Sequence, residues 1–236
     1  MKKLLALALI ASVLGAASAY ANNGAMDLSW NKCDVSSAST DKSYVCDGNA
    51  GVSYVMTGSF VQPFGVPDFA GVSAVVDIAF GTSVPDYWKF DSCNLNGMNA
   101  VNPTPAAPCG PQLFASSYAG GGFSVSYPTS SRERLRIDWA TGAPTPPSTT
   151  SGTRYAGFAL SLDPDAGVST SCAGCSTPAC IVCNTIEVFG FGATEDYLID
   201  TPDARNFVTW QGGGGNCPGA TPSQNKTWGS VKALYR

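Results

Sequence analysis

Hydrophobic residues recur at every second position in six separate stretches of the chain, and that rhythm decides what the chain folds into. In "GVSYVMTGSF", Val52, Tyr54, Met56 and Phe60 alternate with Ser53, Thr57 and Ser59. In "GVSAVVDIAF", Val72, Ala74, Val76, Ile78 and Phe80 share a face opposite Ser73 and Asp77. "GFSVSY" sets Phe123, Val125 and Tyr127 against Ser124 and Ser126, and "RERLRIDW" sets Leu135, Ile137 and Trp139 against Arg134, Arg136 and Asp138. "YAGFALSL" carries Ala156, Phe158, Leu160 and Leu162 on one side; "IVCNTIEVF" places Val182, Ile186 and Val188 opposite Thr185 and Glu187. A period of two is the side-chain repeat of a β-strand. One polar face per strand implies antiparallel sheets. The turn-rich intervals between the runs point to an all-β fold, an antiparallel, jelly-roll-like β-sandwich.

Two Pro-rich intervals, "NPTPAAPCGPQ" (102–112) and "GAPTPPSTTSGT" (142–153), read as long loops. The second has the composition of a linker between two domains, but neither flank offers a self-sufficient set of strands and no internal repeat is present. The expectation is one domain over residues 22–236. One helix is expected, in "TWGSVKALYR": Thr227 is a cap, and Trp228, Val231, Leu234 and Tyr235 recur at helical spacing. It would dock as a short C-terminal helix and close one end of the sandwich.

The chain opens with Lys2 and Lys3, an apolar stretch from Leu4 to Leu14, and small residues around Ala17, Ala19 and Ala21. That order is a secretory signal peptide over residues 1–21, with an apolar run too short to span a bilayer. No cysteine stands at the cleavage point, and no later stretch is long and apolar enough to cross a membrane. The net charge is −4, more negative once Lys2 and Lys3 are removed, so the basic footprint of a nucleic-acid binder is missing. Charged residues make up 13% of the chain, about half the usual share, and small polar residues replace them.

Nine cysteines suit such an exported protein. Cys33 and Cys46 bracket a polar loop, and Cys93 and Cys109 bracket the first Pro-rich interval, so each pair is expected to staple one loop at its base. "SCAGCSTPACIVCN" sets Cys172, Cys175, Cys180 and Cys183 as C-x2-C-x4-C-x2-C. Paired C-x2-C knuckles hold zinc when some 15–20 residues separate them, but four intervene here. A redox C-x-x-C needs a βαβ context, which is missing. The cluster is therefore read as structural disulfides. One of Cys172 and Cys175 is expected to join Cys180, and the other to reach Cys217 in "GGGGNCPGATP". Cys183, a strand residue, is the odd thiol, buried as a small hydrophobe. No metal or other cofactor is expected.

The chain has no histidine. Imidazole-dependent serine and cysteine nucleophiles are thereby excluded, as are histidine-rich metal sites. Carboxylate pairs survive as enzyme chemistry, because glycoside hydrolysis needs two acids across a cleft; the candidates are Asp77, Glu133, Asp138, Glu187, Glu195 and Asp196. Asp163, Asp165, Asp200 and Asp203 lie in "LDPDAG" and "YLIDTPDAR", where the lack of calcium-loop spacing favours ordinary turns. Sugar rings stack on exposed aromatic faces, and Tyr87 and Trp88 in "DYWKF" are the candidate stacking pair.

The blocks "CAGCSTPACIVCNTI" and "CPGATPSQNKTWGSVKALYR", with the opening "MDLSWNKC…YVCDGNAG", resemble a group of short secreted bacterial proteins of unknown function. The three blocks, 26–51, 172–186 and 217–236, sit at corresponding ends of the chain, so the resemblance spans most of the mature sequence. In that group the position of Cys183 is often aliphatic while the other three cysteines of the cluster recur, which implies that Cys183 is the unpaired one. The resemblance brings no activity, ligand or catalytic residue. The expectation is thus an exported protein, secreted or held in the periplasm or at the cell surface, with a non-catalytic structural, surface or ligand-binding role. A glycan or an envelope component would be its partner. The alternatives are a carbohydrate-binding module using Tyr87 and Trp88, and a secreted hydrolase built on carboxylates.

Overall fold

The computed structural model describes residues 24–33, 40–46, 53–103, 109–114, 119–142, 145–164, 172–192, 196–202 and 205–217. The expected signal peptide and C-terminal helix lie outside these residues. The six alternating runs contribute six strands: β3 (Tyr54–Val61), β4 (Phe69–Phe80), β6 (Gly120–Thr129), β7 (Arg132–Ala140), β8 (Arg154–Leu162) and β9 (Ala179–Gly190). Shorter strands complete the set: β1 (Ala25–Trp30), β2 (Asp41–Lys42), β5 (Met98–Val101), β10 (Tyr197–Ile199) and β11 (Phe207–Trp210).

The strands form two sheets. The smaller runs β1-β3-β8-β5; the larger runs β2-β11-β9-β4-β7-β6, with β10 also pairing on β9. Every pairing is antiparallel except β2 on β11. Inward side chains of both sheets, among them Met56, Phe60, Phe158 and Leu160 from the smaller and Val72, Val76, Ile137 and Val188 from the larger, form one hydrophobic cluster. The result is an all-β sandwich.

β7 keeps the alternation read from its sequence: Leu135, Ile137 and Trp139 are buried while Arg136 and Asp138 are exposed. The middle strands depart from it. On β4 the outward residues Ser73 and Asp77 are buried too. Arg134 forks onto Asp77, Nε to Oδ1 at 2.7 Å and Nη2 to Oδ2 at 2.9 Å. Its stem lies over the sheet as long cationic side chains do. Two bulges also reassign faces. The irregularity between Val75 and Val76 places Val182 opposite Asp77, while Ile181, Cys183 and Ile186 lie opposite the inward Ile78, Val76 and Ala74. The one at Gly58/Ser59 sets Tyr155, not Ala156, opposite Phe60. An extra residue in one strand shifts the period by one, so alternation carried across a bulge names the wrong side.

Four disulfides use Cys33–Cys109, Cys46–Cys175, Cys93–Cys172 and Cys180–Cys217, and leave Cys183 free and buried. The cysteines in bridges are the eight expected, but the partners differ, since no loop is stapled at its own base. The sheets dictate the pairing. The amide of Tyr87 donates to the carbonyl of Ala173 at 3.0 Å, which brings Cys93 beside Cys172. Gln211, which follows β11, donates to the carbonyl of Tyr44 and so holds the Cys46 segment near Cys175, whose own carbonyl accepts from Trp210. Cys172, Cys175 and Cys180 thus enter three different bridges.

Candidate functional site

Three of the bridges gather at one end of the larger sheet, where β4 ends at Phe80 and β9 begins at Ala179. There the turn "DYWKF" folds inward as a 3-10 helix over Asp86–Trp88. Tyr87 and Trp88 are both 0% exposed and offer no ring face to a sugar, so the expected stacking site is overturned. They pack around Trp210, with ring centroids 6.3 and 5.4 Å away, together with Tyr44 at 4.8 Å. The Trp210 indole N–H donates to the carbonyl of Cys175 at 2.6 Å, and the Tyr87 hydroxyl to that of Asp163 at 3.2 Å. Fusing a flexible turn into an aromatic cluster stabilises it more than leaving two large rings in water.

Beside this cluster lies a small polar dimple of about 310 Å³, lined by Ser83, Lys89, Asp91 and Tyr127 among others. The Tyr127 hydroxyl donates to Asp91 Oδ1 at 2.5 Å. Behind it stands Glu133, 0% exposed, with neither carboxyl oxygen in a well-formed hydrogen bond. Burial pushes its pKa up to about 8; the Phe90 backbone offsets part of this and the Asp91 charge adds to it. Glu133 takes the inward parity of Leu135 and Ile137 at the start of β7, so it ends beneath the surface rather than on it. Asp91 and Tyr127 carried no motif in the sequence.

The opposite end of the larger sheet is built differently. Strand register sets two rows of residues across its outer face. One row runs Phe189 (β9), Gly71 (β4), Ala140 (β7) and Gly120 (β6); the next runs Glu187, Ser73, Asp138 and Gly122. With glycine and alanine at three of four positions, the first row leaves an open trough of about 500 Å³ walled by Phe189 and Asp138. Gly71 is required by close approach, since a Cβ there would collide with the Trp139 carbonyl oxygen. Gly122 faces open space. Asp138 is exposed and pairs loosely with Arg136 at 3.5 Å. Glu187 and Asp138 stand on either side of Ser73, two strand spacings or roughly 10 Å apart at the backbone.

The remaining acids serve the fold or the surface. Asp77 is held by Arg134 and, at 3.6 Å, by Arg132. Asp27, which carried no sequence signal, is buried, accepts from the backbone amide of Arg205 at 2.8 Å and pairs with Arg154. Asp196 and Asp200 are exposed, and Glu195, Asp165 and Asp203 lie outside the described residues. Burial pushes the Cys183 thiol pKa well up, and the nearby Asp27 charge adds to it, so the free cysteine is an unreactive core residue. A third hollow, about 520 Å³, contains the Asp41–Arg205 pair, with the Arg205 guanidinium stacked 3.9 Å over Phe207.

Among the described residues no helix is long and apolar enough to cross a membrane. Four disulfides are the chemistry of an oxidising compartment. Comparison with protein-family models finds no match, and comparison with curated proteins finds none either.

Proposed function

We propose that this is an exported, non-catalytic protein of the cell exterior, with residues 1–21 as its export signal, that binds a glycan in the trough on the outer face of its larger sheet. It would belong with the short secreted bacterial proteins that its cysteine block and C-terminal block resemble. The observation that carries the reading is the trough itself. A flat floor of Gly71, Ala140 and Gly120 accepts a pyranose ring without steric obstruction. Phe189 at one end supplies an aromatic wall, and Asp138 supplies carboxylate oxygens that accept from sugar hydroxyls. Apolar surface with a few placed polar groups is the usual make-up of a small-ligand site.

The test is a glycan array followed by calorimetry on the oxidised protein. Binding that weakens at least tenfold in both Phe189→Ala and Asp138→Ala supports the reading; a blank array for the wild type overturns it. A second reading, a carboxylate-based hydrolase, draws on Asp138, which walls the trough, and Glu187, two strands away in the same cross-strand row. Reducing-sugar release from the array hits, lost in Asp138→Asn, would favour it over simple binding.

A further inference from the structure

A sandwich of open sheets has four edges, and an unprotected edge strand is a template for another chain. Three of the four edges here are blunted. β1 is covered: its Met26 and Leu28 amides donate to the carbonyls of Thr201 and Arg205 at 3.0 and 3.1 Å. β2 is two residues long and both are charged, and β5 is four residues long. The fourth edge is β6, ten residues of "GGGFSVSYPT" with no charged side chain. It pairs with β7 on one side and, among the described residues, with nothing on the other. Most of its residues are exposed, including Ser124, Ser126 and Tyr127.

We propose that β6 is a self-association edge, pairing antiparallel with β6 of a second copy of this chain about a twofold axis at Ser124. The occupant follows from the strand's own pattern. With Ser124 opposite Ser124, the residues sharing the inward face meet as Phe123 against Val125 and Gly121 against Tyr127. Each large side chain then faces a smaller one. Gly121 is already covered by the Trp139 ring of its own chain, which stands where a Cβ would be, so it adds no side chain against Tyr127 of the second copy. An aromatic ring covering a cross-strand glycine pins strand register, and here Trp139 does so for β6 on β7, holding the outer edge of β6 in place. The outward residues meet as Gly122 against Ser126, and Pro128, which has no N–H, falls opposite Gly120 at the end of the paired stretch. No like charges meet, although the chain as a whole carries −4. Pairing in this register is isologous, so it closes as a dimer and does not propagate. It would also extend the trough rows onto the second copy without requiring that a glycan bind there.

Two strands of this length make a small interface, so the dimer is weak. Sedimentation velocity on the oxidised protein over a range from about 10 μM to about 1 mM is expected to show a monomer–dimer equilibrium. Ser124→Lys places two ammonium groups face to face on the axis and is expected to weaken dimerisation at least tenfold. Its fold is checked by far-UV circular dichroism and by mass mapping of the four bridges. Register is tested by cysteines: paired residues lie 4.5–5.5 Å apart at Cα, within disulfide reach. Ser124→Cys is therefore expected to give a covalent dimer on oxidation. Ser126→Cys, whose neighbour is Gly122, should stay monomeric. A monomer at every concentration overturns the proposal. A dimer untouched by Ser124→Lys, or equal cross-linking by the two cysteine variants, overturns it as well.

Discussion

The two ends of the larger sheet share the same strands and are built from opposite materials. Where β4 ends and β9 begins, three disulfides surround Trp30, Tyr44, Tyr87, Trp88 and Trp210. Where β4 begins and β9 ends, Gly71, Ala140, Gly120 and Gly122 pave a trough beside one phenylalanine. The first end places cross-links and large buried rings together and spends surface aromatics on cohesion. The second leaves backbone and a few polar atoms facing outward. The difference teaches that abundant aromatics in this disulfide-bonded β-protein mark the locked end, and that open surface is found where side chains have been removed.

Breaking the locked end should have the largest effect. Reduction of all four bridges is expected to abolish cooperative folding at 37 °C, read by circular dichroism, because each closes a loop of 37 to 129 residues and such bridges contribute about 3–5 kcal/mol apiece. A fold that survives reduction would make the bridges ornamental. Trp210→Ala removes the ring at the centre of the aromatic cluster and leaves the Cys175 carbonyl without its donor. It should cost about 3–5 kcal/mol in denaturant titration.

The buried acid beside that cluster gives a pH signature. The folded Glu133 carboxyl holds its proton up to about pH 8, while the unfolded one releases it near 4.5. Between those values the unfolded state binds fewer protons, so stability falls as pH rises. The loss from this group at pH 7, relative to pH below 4, is about 3 kcal/mol. Glu133→Gln should flatten that slope and raise the melting temperature at pH 7; an unchanged slope would place the titration elsewhere. The smallest effect is expected at the open end. Gly122→Ala adds a methyl where nothing lies within 4 Å and should change stability by no more than about 0.5 kcal/mol, while weakening any ligand bound in the trough.

How much of this could be read from the sequence differs by feature. The long strands were legible because each buries one face, and Val72, Ala74, Val76 and Ile78 all lie in the core as their spacing implies. β1, β2, β5, β10 and β11 were not, being short or, like β1, buried on both faces. The identity of the free thiol was legible from Cys183's place well inside a strand, whereas the bridged Cys180 sits at that strand's start. The bridges were not, because pairing depends on which loops the sheets bring together, and local loop closure carries no such information. Tyr87 and Trp88 misled because composition does not say whether a turn folds outward or into the core. Asp138 and Glu187 were visible as outward acids. Their neighbours in the trough row, Phe189, Gly71, Ala140 and Gly120, were invisible, since the row exists only across strands and each residue alone is unremarkable.

The contrast between the ends is tested most directly along strands common to both. Residue-resolved amide hydrogen exchange of the oxidised protein reports local opening free energy, and β4 and β9 each run from one end to the other. Exchange is expected to be slowest at Ile181, Val182, Ile78 and Ala79, beside the bridges, and to quicken steadily toward Val188, Phe189, Gly71 and Val72. Uniform protection along β9, or slower exchange at Phe189 than at Ile181, would contradict a locked end opposed to an open one.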